Sequence, residues 1–278
     1  MSSKSTINFY IISDSVGGTA SQLGQAAMTQ FPDADIKVSA YPFIRGSDTL
    51  LSILEKAEAD NAIVLYTLVD EELNETAKLF CQTHELVCFD PLSPIISELE
   101  KRSEMAPIHK PGALHLLDET YFNRIKAIEF AVKFDDGRDP KGFLEADIVL
   151  LGISRTSKTP LSMFLANQNY KVANLPLIPE AHIPEEIWKV DSRKIVGLTS
   201  DREALNSIRR ERMITYGMNP DTEYSKLDRI DRELAFAKEL YEKLDCLVIN
   251  VSKKSIEETA AIIINTLQIA HKKYEQPD

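Results

Sequence analysis

Gly152-Ile153-Ser154-Arg155-Thr156-Ser157-Lys158-Thr159 lies in the middle of the chain, between an apolar run and a stretch that suits a helix. The apolar run is Ile148–Leu151, and the helix-compatible stretch is Pro160–Ala166. A strand, a tight turn with a Lys-Thr pair and a helix, in that order, are typical of a P-loop, which binds phosphate groups. The segment therefore predicts an α/β unit with a phosphate site at the end of a strand.

Each part of this loop has an expected role. Backbone N–H groups at the turn and at the start of the helix would face a polyphosphate. Lys158 would add a mobile positive charge, and the Thr159 hydroxyl would hold Mg²⁺. The candidate phosphate-contacting residues are Gly152, Ile153, Ser154, Arg155, Thr156, Ser157, Lys158 and Thr159.

One position departs from the P-loop pattern. Ser157 stands where the motif has glycine, which tolerates a backbone geometry that serine disfavours. An ordinary turn rich in serine and threonine is therefore the alternative interpretation of this segment.

The size and charge of the chain limit the classes of function. It has 278 residues, of which 44% are hydrophobic, so one large or two modest globular domains are expected. Its 32 basic and 43 acidic residues give a net charge of −11, which argues against non-specific binding to nucleic acid. No run approaches the roughly 18 apolar residues of a membrane helix, and the start lacks a signal-peptide apolar region. We expect a cytoplasmic protein with no membrane partner.

The cysteines and histidines of the sequence indicate neither a disulfide framework nor a metal site. The three cysteines are too few and too scattered for a disulfide framework or a zinc site, so we expect reduced thiols. The five histidines show no ligand spacing, which makes a histidine metal site improbable. These residues are Cys81, Cys88, Cys246, His84, His109, His115, His182 and His271.

Strands and helices alternate through the first hundred residues. Short apolar strands between helices predict a parallel sheet covered on both faces. The predicted strands are Ile7–Ile12, Ile36–Tyr41, Ala62–Tyr66 and Leu86–Phe89. The predicted helices are Ala20–Gln30, Ser47–Glu58, Glu71–Gln82 and Pro94–Lys101.

A linker separates this region from the rest of the chain. Pro107, Pro111 and Gly112 mark it. We therefore expect an N-terminal Rossmann-like α/β domain at 1–104, a linker at 105–117 and a P-loop kinase-like α/β domain at 118–278.

In the second domain, further strands are predicted at Lys171–Asn174, Lys194–Thr199 and Leu247–Val251. Helices are predicted at Glu119–Phe134, Arg202–Thr215, Ser225–Leu244 and Ser255 to about Lys272. Ser255 and Glu258 have the spacing of a capping box.

The turn after the first strand is a second candidate site. Asp14-Ser15-Val16-Gly17-Gly18-Thr19 would lie at the carboxyl end of a strand, where ligands bind in open α/β sheets. Ser15 and Thr19 could donate hydrogen bonds to an anion. A glycine-rich connection in which Thr19 caps the next helix is the alternative.

Further charged residues could serve phosphoryl transfer. Arg209 and Arg212 share a helix face, so both guanidinium groups could face one anion, although a solvated basic turn is the alternative.

No strand of the second half ends in an aspartate that could hold Mg²⁺. Asp135 and Asp136 are the nearest acidic pair and could act as metal anchor or general base, or simply form a turn.

Taken together, the segments resemble the pyruvate, phosphate dikinase regulatory proteins, relatives of the phosphoenolpyruvate synthase regulatory proteins. The likeness runs in order along nearly the whole chain and includes the Ser-Lys-Thr form of the loop. Gly18 departs from the acidic residue often found there in the family. The segments that carry the likeness are Ile12–Gly17, Gln30-Phe31, Ile128–Gly137, Ala146–Leu151, Gly152–Pro160, Lys171–Leu177, Val196–Thr199, Ile208–Arg212 and Ser255–Ala260.

The resemblance implies a bifunctional enzyme. One reaction moves a phosphoryl group from ADP to a threonine of the dikinase and inactivates it. The other removes that phosphate by attack of inorganic phosphate and releases pyrophosphate. The same chemistry on phosphoenolpyruvate synthase, and a non-catalytic nucleotide sensor, remain alternatives. The general base, the number of active sites and the oligomeric state, a homodimer among the options, are left open.

Overall fold

The computed structural model describes residues 6–115 and 119–267. The chain divides into two compact units, Met1–Leu116 and Leu117–Asp278. This division falls near the end of the expected linker, while the domain bounds 1–104, 105–117 and 118–278 stay predictions. Each unit is an α/β structure around a four-stranded parallel sheet, which confirms the predicted fold class.

The first unit has the strand order β2-β1-β3-β4. All its strand pairs are parallel, with Phe9 opposite Val38 on one side and opposite Ile63 on the other. Its strands are β1 Ile7–Ser13, β2 Ile36–Tyr41, β3 Ile63–Thr67 and β4 Cys88–Phe89. Its helices are α1 Gly18–Met28, α2 Ser47–Ala59, α3 Glu71–Thr83 and α4 Ser93–Ser103.

Alternation along the central strands buries both faces of this sheet. Tyr10 and Ile12 of β1 pack with α2 and α3 in the larger cluster, and Ile11 packs with Ala20 of α1 on the opposite face. Period-2 alternation sends successive side chains to opposite faces, so a continuous apolar strand serves two helical layers.

The second unit has the strand order β6-β5-β7-β8, again with every pair parallel. Its strands are β5 Ile148–Gly152, β6 Val172–Pro176, β7 Ile195–Thr199 and β8 Leu247–Asn250. Its helices are α5 Glu119–Lys133, α6 Gly142–Glu145, α7 Lys158–Asn167, α8 Arg202–Thr215, α9 Leu227–Leu244 and α10 Ile256–Thr266.

Strand β5 lies at the centre of this second core. All five of its residues are buried, and Val149 and Leu151 pack in one cluster while Ile148 and Leu150 pack in another. The strand ends at Gly152, so the predicted phosphate loop begins at the carboxyl edge of the sheet, where open α/β sheets bind ligands.

Most predicted elements are confirmed within a few residues. Helix α9 begins at Leu227, because Thr222 and Ser225 first form a capped 3₁₀ turn. The predicted capping box of Ser255 and Glu258 is present at the start of α10. The predicted end of that helix, near Lys272, lies outside the described residues.

In the first unit, the expectation of reduced thiols at Cys81 and Cys88 is wrong, and so is the alternative interpretation in which Thr19 caps α1. Cys81 and Cys88 form a disulfide with a Cα–Cα distance of 6.2 Å, because the chain turns back between α3 and β4 and brings the two thiols together. Thr19 does not cap α1: the cap is Gly17, with φ +82°, and no side chain accepts a hydrogen bond there. Asp14 instead ties β1 to the end of β3 by accepting from the N–H groups of Val69 and Asp70 at 2.7 and 2.9 Å.

Within the described ranges, no helix has the length and apolar character needed to cross a bilayer.

Candidate phosphate-transfer site

The loop between β5 and α7 contains two residues in left-handed backbone geometry. Arg155 has φ +74° and Ser157 has φ +60°. Such a φ is rare for residues other than glycine, so Ser157 occupies the backbone conformation that favours glycine in the motif. The strand, turn and helix are in the expected order, and helix α7 begins at Lys158.

Gly152 allows the loop to close on itself. A Cβ atom there would lie 2.4 Å from Thr156 Oγ1 and 3.2 Å from the carbonyl oxygen of Leu198. The Thr156 hydroxyl donates to the carbonyl of Ile153 at 2.9 Å, so it cannot move away without losing that bond. The glycine is therefore required by the internal packing of the loop.

An open cleft of about 1060 Å³ lies over the loop. The side chains of Ile153 and Thr156 are fully buried, so these two residues can offer only backbone N–H groups to a ligand. The loop residues that line the cleft are Ser154, Arg155, Ser157, Lys158 and Thr159. The rest of the lining is Asp136, Pro160, Pro176, Leu177, Ile178, Arg212, Glu223, Tyr224, Arg229, Arg232 and Glu233.

Lys158 is folded back against the loop. Its Nζ donates to the carbonyl oxygen of Ile153 at 3.0 Å, and the residue is 7% exposed. Burial lowers the pKa of the ammonium group to about 8, although the nearby carboxylates Asp136 and Asp135 act in the opposite direction. Lys158 therefore loses its proton more readily than an exposed lysine, and a bound anion would favour the charged ammonium form.

Asp135 lies beside the threonine of the loop. Its Oδ1 accepts a hydrogen bond from Thr159 Oγ1 at 3.0 Å and another from Asn174 Nδ2 at 2.6 Å. The acid comes from the 3₁₀ turn Asp135–Gly137 and not from the end of a sheet strand. The structure thus brings Asp135 to the Thr159 hydroxyl, although the two residues lie 24 positions apart in the sequence.

Asp136 faces the cleft from the same turn. Its backbone has φ +56°, and its N–H donates to Asn174 Oδ1 at 3.1 Å. The side chain is exposed and lines the cleft. The two aspartates are therefore held differently, Asp135 against the loop and Asp136 toward the open space.

Asn174 is a functional candidate that the sequence reading passed over. It is fully buried in β6 and contacts both Asp135 and Asp136, while its Nδ2 also donates to Ser162 Oγ at 3.1 Å. A buried amide needs partners, and here those partners are the acidic turn and helix α7. An asparagine inside the apolar run Val172–Leu175 was the available signal.

Arg209 and Arg212 do not face a common anion, which differs from the expected geometry. Arg209 is fully buried and donates to Glu233 Oε2 at 2.6 Å, to the carbonyl of Tyr224 at 2.9 Å and to the carbonyl of Ser154 at 3.1 Å. One helical turn away, Arg212 lines the cleft. Helical spacing places both arginines on one face of α8, but the buried carboxylate of Glu233 holds the guanidinium group of Arg209 away from a shared anion.

Tyr224 is a second residue that the sequence reading missed. Its hydroxyl lies 2.9 Å from Ser154 Oγ and accepts from Arg155 Nε at 3.1 Å, so it clamps the first half of the loop. The guanidinium of Arg209 lies 4.7 Å from the centre of its ring. About seventy residues separate the tyrosine from the loop, and no local pattern could pair them.

Arg229 and Arg232 add positive charge to the cleft wall. Arg229 is shared between Glu233, at 2.9 Å, and Glu180, whereas Arg232 is exposed. Neither residue was among the sequence candidates.

The oxygen donors around Thr159 suit a magnesium ion. Hard cations of this size take carboxylate and hydroxyl oxygens, and Mg²⁺ is commonly held by one or two protein groups together with phosphate oxygens and water. Thr159 Oγ1 and the Asp135 carboxylate supply such a pair at the edge of the cleft. Within residues 6–115 and 119–267, no three His, Cys, Asp or Glu side chains cluster as a metal site of their own.

A comparison with known protein families assigns the chain to one family. The sequence profile of the family described as kinase/pyrophosphorylase matches residues 9–264. The chain belongs to this family. The match takes in both units, including the turn at Asp135, the loop and Asn174.

Individual relatives agree with the family assignment. A protein of Latilactobacillus sakei, provisionally named pyruvate, phosphate dikinase regulatory protein 1, is 54% identical over 264 residues, which cover 95% of this chain and 94% of the relative. A protein of Enterococcus faecalis, with the same provisional name and number 2, is 52% identical over 96% of this chain and 97% of its own length. A Pediococcus pentosaceus protein of that provisional name is 54% identical, covering 95% of this chain and 98% of the relative.

Proposed function

We propose that this protein is a bifunctional regulator of pyruvate, phosphate dikinase. It would phosphorylate a threonine of the dikinase with ADP as donor, and it would remove that phosphate with inorganic phosphate as acceptor. The observation that carries the proposal is that Lys158 and Thr159 line one cleft and that the Thr159 hydroxyl donates to Asp135 at 3.0 Å. The family assignment and the names of the relatives support the same chemistry and the same target.

In the phosphorylation direction, the target threonine oxygen attacks the β-phosphorus of ADP. The bond from that phosphorus to the bridging oxygen breaks, and AMP leaves. Lys158 and the backbone N–H groups of the loop hold the phosphates, and Arg212 balances the charge of the group in transfer. Asp136, which faces the cleft, takes the proton from the threonine hydroxyl.

Bound Mg²⁺ would neutralise charge on the phosphate oxygens. Asp135 and Thr159 are the residues that would hold it. Asn174 fixes the turn that carries Asp135, because it bonds to both aspartates.

In the opposite direction, an oxygen of inorganic phosphate attacks the phosphorus of the phosphothreonine. The bond from that phosphorus to the threonine oxygen breaks, pyrophosphate forms, and the threonine oxygen regains a proton from Asp136. In both directions the transferred phosphoryl group lies in line between the threonine oxygen and an oxygen of a second phosphate group, which belongs to AMP in one direction and to inorganic phosphate in the other. One cleft with a single phosphate loop can therefore serve both.

The alternatives are a regulator of phosphoenolpyruvate synthase and a nucleotide sensor without catalysis. The relatives' names favour the dikinase as target. Catalysis is favoured over sensing because an acid does stand beside Thr159, although it comes from a turn and not from a strand end.

The test incubates the purified protein with the dikinase or with phosphoenolpyruvate synthase, Mg²⁺ and ADP, and follows the activity of the target enzyme. We expect loss of dikinase activity with ADP and its recovery when inorganic phosphate replaces ADP. Inactivation of the synthase alone would mean that phosphoenolpyruvate synthase, and not the dikinase, is the target. No change in either enzyme would leave nucleotide sensing as the function.

A further inference from the structure

The first unit contains a cavity of its own, with a volume of about 830 Å³. It lies beyond the carboxyl ends of β3 and β4, between α3 and α4, and the segment 106–109 contributes to its wall. Open α/β sheets bind their ligands at this edge. The proposed phosphoryl transfer makes no use of this cavity.

A tyrosine hydroxyl without a protein partner opens into the cavity. The Tyr66 side chain, at the end of β3, is 4% exposed and lines the cavity. Its hydroxyl makes no hydrogen bond to any residue in the described ranges, and it is not itself enclosed by protein. A ligand in the cavity can therefore reach this hydroxyl and supply its partner.

The polar groups beside Tyr66 include a carboxylate oxygen with room for another donor. Asn74 Nδ2 lies 3.1 Å from the carbonyl of Leu68, 3.0 Å from Asp90 Oδ2 and 3.0 Å from Ser93 Oγ. Within the described residues Asp90 Oδ2 accepts from Asn74 alone, and a carboxylate oxygen can accept two hydrogen bonds. This oxygen can therefore accept a hydrogen bond from a ligand.

The charged residues of the cavity are mostly acidic. Its two basic side chains each lie against a carboxylate at the rim, Lys78 against Glu75 at 3.3 Å and His109 against Glu71 at 3.1 Å. Two further carboxylates remain. Within the described residues, Asp90 accepts only from uncharged N–H groups, and Glu100 has no ion-pair partner. The electric field of the cavity therefore attracts cations and repels nucleotides.

The same field acts on Tyr66. Burial, together with the negative charges of Asp90 and Glu75, raises the pKa of its hydroxyl to about 12. The hydroxyl therefore stays protonated and remains available for hydrogen bonding. Apolar walls from Leu68, Ile96 and Pro107 leave room for a short carbon chain.

We propose that this cavity, here called the β3–β4 cavity, binds a small organic cation that carries several N–H donors on a short carbon chain. Its charged group lies between Asp90 and Glu100, and it donates to the oxygens around Asn74 and to Tyr66. The site is separate from the phosphate-transfer cleft, which is built from the second unit.

The probe is agmatine, which carries a guanidinium and an ammonium group on a four-carbon chain, and its uncharged counterpart is 1,4-butanediol. Isothermal titration calorimetry on the full chain should show one agmatine site that weakens as salt is raised, and no binding of the diol. Failure of agmatine to bind, or equal binding of the diol, would overturn the proposal.

Two variants locate the site. Glu100→Gln removes a charge at constant size and should weaken agmatine binding at least tenfold, whereas Glu98→Gln, on the same helix but outside the cavity, should leave it unchanged. Tyr66→Phe should also weaken binding severalfold while the melting temperature stays the same or rises, because the hydroxyl removed has no partner to lose. Agmatine binding that is the same in Glu100→Gln, Tyr66→Phe and Glu98→Gln would contradict the assignment of the site.

Discussion

Asp135 Oδ1 lies 3.0 Å from Thr159 Oγ1, so the acid of a 3₁₀ turn meets the hydroxyl at the start of helix α7. Asn174, buried in the strand beside β5, holds the same carboxylate oxygen at 2.6 Å. These two contacts explain how the chain can present an acid beside Thr159 although none of the four strands β5–β8 ends in aspartate.

Asp135→Asn should raise the Mg²⁺ concentration needed for half-maximal phosphorylation at least tenfold. The amide keeps the size of the side chain but gives up a charged oxygen ligand. A Mg²⁺ titration of the phosphorylation rate measures the effect. Asp136→Asn is the matched control, because asparagine tolerates the left-handed backbone of that position. We expect Asp136→Asn to lower the rate at saturating Mg²⁺, and an unchanged Mg²⁺ requirement in Asp135→Asn would contradict the anchor role.

The affinity for ADP should fall as the pH rises through about 8. Burial lowers the pKa of Lys158 to that value, so the free protein loses this positive charge in the alkaline range, and phosphate binding must return the proton. Calorimetry in buffers of different ionisation enthalpy should therefore show proton uptake on ADP binding near pH 8. Lys158→Arg keeps its charge throughout and should abolish the uptake. Uptake of the same size in the variant would assign the proton to another group.

Arg209→Lys and Arg212→Lys should separate stability from turnover. The buried guanidinium of Arg209 makes three hydrogen bonds, one of them to the carboxylate of Glu233, and lysine cannot reproduce this fork. We expect Arg209→Lys to lower the free energy of unfolding by about 1–3 kcal/mol. Arg212→Lys should leave stability unchanged and slow turnover about tenfold, or about 1.4 kcal/mol. Denaturant unfolding and steady-state rates test both, and equal stability of the two variants would contradict the buried role of Arg209.

Tyr224→Phe should weaken ADP binding several-fold without unfolding the protein. The change removes the contacts of the hydroxyl with Ser154 and Arg155 but keeps the backbone carbonyl that accepts from Arg209. A looser loop must be ordered when the nucleotide binds, and that ordering costs affinity. Tyr41→Phe in the first unit serves as the control. If calorimetry gave both variants the wild-type affinity, the clamp would have no part in binding.

The sequence predicts most of the fold because the signals are local. Buried strands such as Ile148–Leu151 are continuous apolar runs, and Ser255 with Glu258 marks a helix start by itself. The position of the phosphate loop follows in the same way from strand, turn and helix order.

Long-range pairing explains what the sequence did not predict. Tyr224 contacts the phosphate loop and Glu233 contacts Arg209, each from a distant part of the sequence. The spacing of residues in the sequence therefore predicts neither contact. The Cys81–Cys88 disulfide depends on how the chain turns between α3 and β4, which a count of cysteines does not reveal. Asn174 could have been noticed, because a polar residue in an otherwise apolar strand needs a buried partner.

The central claim is the transfer of the β-phosphoryl group of ADP to a threonine of the dikinase. The most direct measurement incubates the dikinase and Mg²⁺ with ADP labelled at either the β- or the α-phosphorus, and follows the label by phosphoamino-acid analysis. We expect the β-label to appear on threonine and the α-label to remain in AMP, and we expect Lys158→Ala to abolish the transfer. Absence of β-label from the dikinase with the wild-type protein, or its undiminished appearance with Lys158→Ala, would contradict the account.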